Sequence, residues 1–250
     1  MRYKMAIRLV TFDALHTLIT PRLPIYVQYS HTFEPYLGVL EPGALKQSFK
    51  IALKQLQVEK PAYRGGSDEW WGEVIRRTAI GAGANSNDVT DSLGQIVPRL
   101  LHRFSSKEGY KLFDDSLFCL QQLRGMSVKT GLISNTDERM LSVLQDLDVT
   151  KYLEPILISE SLNIEKPDPE MFSQASWIAG EQKESILHVG DELEADYLGA
   201  KKAGLQALLI RRPGLEGEGE HKEAGEDLNN VGVVTSLRDV VERVRVNLAQ

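Results

Sequence analysis

Hydrophobic and polar positions divide the chain into three zones. Ile7 to Phe12 are apolar or β-branched apart from Arg8 and stop at Asp13, the pattern of a buried strand ending in a polar loop. From about Pro24 to Phe104 the period is helical. Tyr26, Tyr29, Phe33, Tyr36 and Leu37 recur at spacings of three and four, as do Leu45, Phe49, Ala52, Leu53 and Leu56. Two more helices are expected around Trp70 to Ile80 and Val89 to Phe104, divided by a Gly/Asn/Ser cluster at 81–87, so this zone reads as a four-helix unit. From Asp114 onward short apolar runs alternate with amphipathic ones. Helices are expected over 114–125, 137–146, 168–180, 192–203 and 237–248, and strands over 128–133, 153–158, 185–189, 206–210 and 231–234.

Alternation of this kind indicates a parallel sheet with helices on both faces, a doubly wound, Rossmann-like α/β core. Its first strand precedes the helical zone and its other strands follow it. The zone is therefore an inserted helical cap over 21–107, with the core formed by 1–20 and 108–250 and hinges near residues 20 and 108. No internal repeat is visible. Pro213 to Asn230, rich in Gly and Glu, reads as a mobile surface loop.

Composition narrows the function classes. With 29 Lys+Arg against 35 Asp+Glu the formal charge is −6, which argues against a nucleic-acid partner bound through a broad basic surface. Most of that surplus lies in one stretch, where Glu216, Glu218, Glu220, Glu223, Glu226 and Asp227 oppose Lys222, so the remainder is nearly neutral. Cys119 is the sole cysteine, which excludes an intrachain disulfide and suits a reducing compartment. No apolar run approaches the ~18 residues of a membrane span. The apolar start is broken by Arg8 and closes on Asp13, unlike a secretory leader. A cytoplasmic location is expected, with the nucleus also open to a chain of 28.0 kDa. No membrane partner is expected, and the oligomeric state is open.

In an open parallel sheet, ligands bind beyond the carboxyl ends of the strands. The residues found there share one chemistry. The first strand delivers Asp13 in Phe12-Asp13-Ala14-Leu15-His16-Thr17-Leu18, and a later one delivers Ser134-Asn135. Lys166 stands in Glu165-Lys166-Pro167-Asp168-Pro169, and His188-Val189-Gly190-Asp191 closes another strand five residues before Asp196.

In this order and placement, with a helical insertion between the first two motifs, the sequence resembles the haloacid dehalogenase-like hydrolase superfamily. The resemblance covers nearly the whole chain. The Trp70-Trp71 pair and the altered first motif are most similar to a eukaryotic subgroup of it. The resemblance implies that Asp13 is a nucleophile that attacks phosphorus and forms an aspartyl-phosphate. It also implies Mg²⁺ as cofactor, held by Asp13, the backbone carbonyl of Leu15 and Asp191. Lys166 would supply a second positive charge to phosphoryl oxygens, and Ser134 and Asn135 would bind the phosphoryl group. Thr17 would hydrogen-bond the nucleophile, and Asp196 would orient Lys166 or the metal's waters.

One departure weighs more than the matches. Phosphatases of this superfamily carry a second Asp two residues after the nucleophile, as proton donor to the leaving group; here that residue is Leu15. Losing a general acid costs ~10² to 10⁴ in rate. His16 is the nearest candidate substitute, the alternative being a loop side chain packed under the cap. The dehalogenases of the superfamily also lack that Asp, but they need no divalent metal, and this chain keeps Asp191 and offers only Arg22, at a hinge, as an early arginine in the cap. Trp70 and Trp71 read as cap packing. His188 reads as sheet core, and His31, His102 and His221 lack metal-ligand spacing. The expected function is a Mg²⁺-dependent phosphatase of a small phosphorylated metabolite, the cap acting as a lid that limits substrate size. The alternatives are an impaired scaffold that binds a phospho-ligand or partner, and a metal-independent 2-haloacid dehalogenase.

Overall fold

The computed structural model describes residues 5–213 and 225–249. In chain order the elements are β1 (Leu9–Phe12), β2 (Ile19–Pro21), α1 (Ile25–Leu37), α2 (Pro42–Glu59), α3 (Ser67–Gly81), α4 (Ser86–Arg103), β3 (Tyr110–Leu112), α5 (Ser116–Gly125) and β4 (Lys129–Ser134). They continue with α6 (Arg139–Asp146), β5 (Ile156–Ile158), α7 (Ser159–Leu162), α8 (Pro169–Ala179), β6 (Ile186–Gly190), α9 (Gly199–Ala203), β7 (Gln206–Ile210), β8 (Val233–Val234) and α10 (Leu237–Leu248). By internal contacts the chain divides into two compact units. One is Met1–Thr20, Leu112–Thr136 and Asp148–Gln250; the other is Pro21–Lys111 and Asp137–Leu147.

In the first unit, among the described residues, six strands form a sheet in the order β5-β4-β1-β6-β7-β8, and every pairing is parallel. The fold is thus the doubly wound α/β class that the alternation predicts. Counting outward from β1, successive strands go first to one side and then to the other, so the winding reverses between β1 and β6. Side chains leaving the ends of these two strands flank the crevice opened by that reversal. All four residues of β1 are buried, as a strand paired on both edges and covered on both faces requires. Leu9, Ile133, Leu157, Met171, Phe172 and Ile186 belong to one core cluster of this unit.

Several boundaries move for local reasons. β1 begins at Leu9 rather than Ile7, because the Ile7 N–H donates to the Asn247 side chain at 2.7 Å instead of to a neighbouring strand. β5 begins at Ile156 rather than Leu153, just after Pro155, which has no N–H to offer a ladder. The helix expected over 192–203 starts as a π-helical turn, Leu193–Leu198, and only then becomes α9. Among the described residues no helix is long and apolar enough to cross a membrane. Of the Gly/Glu-rich loop, residues 214–224 lie outside the described residues.

The second unit contains α1 to α4. Tyr29, Phe33 and Leu45, three of the positions expected from the helical period, join Ile75, Val89, Ile96 and Leu100 in its main core cluster. Residues 137–147, read from the sequence as part of the core, group with this unit instead. The cause is specific. Trp71 donates its indole N–H to Asp137 Oδ2 at 2.8 Å, and Arg139 bonds the same carboxylate through Nε and Nη2 at 2.7 Å each while lying over the Trp71 ring. Trp70 is buried, and its indole donates to the Lys60 carbonyl at 2.9 Å, so the pair serves packing in this unit.

Candidate active site

The β1 register places Phe12 beside Leu132 of β4 and Val189 of β6. Asp13, one residue later, therefore emerges beside the ends of both neighbours, where Ser134 and Asp191 leave their strands. The Asp13 N–H donates to the Val189 carbonyl at 2.9 Å, which fixes the backbone at the point of exit. Beyond it the chain turns back tightly: Leu18 and Ile19 both donate to the Ala14 carbonyl at 2.9 Å, and His16 donates to Ile19. His16 takes φ +63°, a conformation glycine adopts freely and a side chain does not.

Asp13 Oδ1 accepts from Ser134 Oγ at 3.1 Å and from Lys166 Nζ at 2.7 Å. The same ammonium donates to Asp196 Oδ1 at 2.6 Å. Asp13, Ser134, Lys166, Asp191 and Asp196 are all buried. Lys166 has no helix or strand to hold it; the Asn135 side chain does so instead. Its Oδ1 accepts from the Lys166 N–H and its Nδ2 donates to the Lys166 carbonyl, both at 2.8 Å. Asn135, expected to bind the phosphoryl group, thus has both ends of its amide bonded to this backbone, because a lysine in irregular chain needs its peptide groups satisfied.

Asp196 is reached through Gly190. A Cβ on that glycine would lie 2.1 Å from the Asp196 Cγ, so only glycine lets the carboxylate close over the end of β6. Asp196 Oδ2 then accepts from the Glu192 N–H at 3.0 Å, and its Oδ1 meets His188 Nε2 at 3.0 Å. His188 Nδ1 lies 2.9 Å from Thr11 Oγ1. Burial pushes the His188 pKa down, so the ring is neutral, with Nε2–H donating to Asp196 and Nδ1 accepting from the Thr11 hydroxyl. His188 is in the sheet core as expected, but it also completes the support of Asp196. The signal was available: an imidazole inside a fully buried strand must find two polar partners.

The expected bond from Thr17 to Asp13 is not formed. Thr17 is buried and its Oγ1 has no hydrogen-bond partner.

The electrostatics are those of too many carboxylates in one dry place. Burial raises the Asp13 pKa, with Lys166 working against it. Asp191 is raised well above the carboxylate range, first by burial and then by the charges of Asp13, Asp196 and Glu192. Burial disfavours the charge on Asp196 too, but Lys166 and the His188 hydrogen bond outweigh it and hold that carboxyl low. Burial likewise opposes the Lys166 charge, and Asp13 and Asp196 more than restore it. Three buried carboxylates thus share the site with one ammonium and one imidazole. Among the described residues no three His, Cys, Asp or Glu side chains form a ready-made metal cluster. The donors available are Asp13, Asp191 and backbone carbonyl such as that of Leu15. This all-oxygen set suits Mg²⁺, which binds through one or two carboxylates and keeps several waters.

A parallel sheet whose central strand ends in a buried carboxylate, bridged by lysine to a second one, defines a doubly wound α/β protein with a candidate active site at the carboxyl edge of the sheet. The family model described as haloacid dehalogenase-like hydrolase matches residues 7–204, and the chain belongs to that family. It is 28% identical over 248 residues to the haloacid dehalogenase-like hydrolase domain-containing protein 3 of Danio rerio, covering 98% of this chain and 99% of that one. That protein is of the subgroup suggested by Trp70-Trp71 and the altered first motif. Among solved structures, the L-2-haloacid dehalogenase of Xanthobacter autotrophicus superposes with a TM-score of 0.68 at 17% identity, covering 96% of this chain and 98% of that one. A HAD phosphatase from Thermococcus onnurineus gives 0.59 at 18% identity, with 96% and 98% covered. At these identities the structures share the fold.

Proposed function

We propose that this chain is a Mg²⁺-dependent phosphatase of a small phosphorylated metabolite, working through an aspartyl-phosphate on Asp13. The observation that carries this reading is the charge of the site. Three carboxylates, Asp13, Asp191 and Asp196, are buried beside the single ammonium of Lys166, and a divalent cation would keep such a grouping ionised. Asp13, the Leu15 carbonyl and Asp191 would hold the ion, which would offset the charge of an incoming phosphoryl group.

The chain's own residues supply the rest. Ser134 and Lys166 both bond Oδ1 of Asp13, so Oδ2 is the oxygen presented for attack. Attack forms the Oδ2–P bond as the ester P–O bond breaks, and the departing oxygen takes the electron pair. Lys166 and Ser134 can then donate to phosphoryl oxygens. Water later attacks phosphorus as the P–Oδ2 bond breaks, its proton leaves with the inorganic phosphate, and Asp13 is freed. Asp196, through Lys166, holds the ammonium charged throughout. The helical unit that interrupts the chain between Asp13 and Ser134 supports a small substrate rather than a folded phosphoprotein.

Leu15 favours a second reading, a binding scaffold with lowered or lost turnover, because it has no proton to give the leaving oxygen. Substrates whose leaving group needs none, such as aryl or acyl phosphates, are the ones it would still serve. Hydrolysis of an activated aryl phosphate, measured with and without Mg²⁺ in the wild type, Asp13→Asn and Leu15→Asp, separates the readings. Mg²⁺-dependent turnover abolished in Asp13→Asn is the expected result. Turnover seen only in Leu15→Asp would make the chain a scaffold, and metal-independent halide release from a 2-haloacid would make it a dehalogenase.

A further inference from the structure

Directly after β7 stand two arginines, Arg211 and Arg212, that none of the chemistry above uses. Each reaches a different loop of the site. Arg212 forms a two-pronged ion pair with Asp115, Nη1 to Oδ2 at 3.1 Å and Nη2 to Oδ1 at 3.0 Å, and lies 3.7 Å over the centre of the Phe113 ring. The same Nη2 donates to the Thr17 carbonyl at 2.9 Å, on the loop that follows Asp13. Asp115 Oδ2 also accepts from the Leu237 N–H at 2.8 Å, which ties this group to the start of α10. Arg211 pairs with Glu226 through Nη2 and donates through Nη1 to the carbonyl of Asp191.

We infer that Arg211 and Arg212 are a pair of positioning residues, one strapping the Asp191 loop and the other the Asp13 loop to the end of β7. The inference deepens the phosphatase reading and rests on it only for its catalytic consequence. Each guanidinium is neutralised by its own carboxylate, Glu226 or Asp115, so what it delivers to the site is geometry rather than net charge. A guanidinium can do this because its fixed fork of N–H groups engages a carboxylate and still has a donor for a carbonyl. A lysine has the charge without the fork. The two loops face each other across the β1/β6 crevice, and both straps start from adjacent residues on one strand end. The separation of the two acidic side chains is thereby set by β7, a strand that contributes no reacting atom.

The test is amide hydrogen exchange of the full chain, alongside thermal unfolding and kinetics. Arg212→Ala is expected to speed exchange in 14–19 and leave 190–194 unchanged, and Arg211→Ala to do the reverse. Arg212→Lys should behave like Arg212→Ala. Where turnover is measurable, Arg212→Ala lowers kcat by about tenfold or more with KM little changed, as small misplacements of a reacting group do. In Arg211→Ala, Mg²⁺ affinity measured by calorimetry weakens by about 10–100-fold, the usual cost of losing support behind a ligand residue. Exchange that rises evenly over the whole unit, or full retention of both loops in Arg→Lys, would overturn the inference. So would failure of the Ala and Lys variants alike to fold. Selective loosening in a wild-type background that hydrolyses no phosphate would keep the straps and remove the phosphatase reading instead.

Discussion

Gly190 and Asp196 occupy the same space except for one missing methyl group: a Cβ on the glycine would sit 2.2 Å from Oδ2 of Asp196 as well as 2.1 Å from its Cγ. The close approach lets Asp196 accept the Glu192 N–H, the His188 ring and the Lys166 ammonium at once. Gly190→Ala is therefore expected to push Asp196 off Lys166 and to destabilise the α/β unit by about 1–3 kcal/mol, the cost of overpacking a tight interior. Urea unfolding checks the first effect. Loss of aryl-phosphate turnover beyond the loss of folded protein checks the second.

Asp196→Asn removes one of two carboxylates that hold a buried ammonium. Stability is expected to fall by roughly 3 kcal/mol, within the range seen when one partner of a buried pair is deleted. Because Asp13 then becomes the only carboxylate among the described residues bonded to Lys166, turnover should drop more than stability alone explains. A variant as stable as the wild type would show that the Lys166–Asp196 contact has no energetic weight.

Asn135 offers a sharper dissection. Asn135→Asp keeps the acceptor for the Lys166 N–H and loses the donor to its carbonyl, while Asn135→Ala loses both. The expected order of kcat is wild type, then Asp, then Ala. The Ala variant should lose about 1–3 kcal/mol of stability for the buried backbone groups left unsatisfied. Equal loss in both variants would indicate a direct phosphoryl-binding role for the amide rather than a hold on Lys166.

In the helical unit, burial disfavours the charge on Asp137, but the Arg139 guanidinium and the Trp71 indole overcome it and hold the pKa below the usual range. The folded state therefore binds this proton less readily than the unfolded chain. The stabilisation is fully present above the unfolded carboxylate pKa of about 3.9 and is lost as pH falls through the depressed folded value. Acid titration followed by tryptophan fluorescence, in a background with Trp177 replaced by Phe, should show a transition in that window that Asp137→Asn abolishes. An unchanged acid limb in the variant would assign the transition elsewhere.

Cys119 is fully buried, and burial pushes its thiol far from ionisation. A thiol reagent is expected to label it only at the rate of global unfolding. Rapid labelling in native buffer would mean that the α5 region opens locally.

Much of the site can be read from the chain because strand ends are visible in it. An apolar run that stops at Asp13, another at Ser134 and a third at Gly190-Asp191 already say which side chains reach the carboxyl edge of a parallel sheet. Contacts that depend on distant segments closing on one another were not visible. Nothing local marks Asn135 as the clamp on Lys166, 31 residues away, or Arg212 as a donor to Thr17 across 195 residues. Residues 137–147 look like any core helix by period, and contacts made across the fold, from Trp71 to Asp137, from Arg139 to the Trp71 ring and from Lys107 to Asp146, place them in the helical unit.

By itself, then, the sequence determined the α/β class, the interrupted order of its strands and the identity of the acidic and cationic residues at their ends. Periodicity and abrupt polar stops are local properties, and they survive without coordinates. The tertiary structure decided which oxygen of Asp13 is bonded, that the Thr17 hydroxyl does not hydrogen-bond it, and that Gly190, Asn135, His188 and the arginine pair hold the site in shape. Those outcomes depend on hydrogen bonds of 2.6 to 3.1 Å, most of them between segments far apart in the chain, and such approaches exist only once the sheet has set its register.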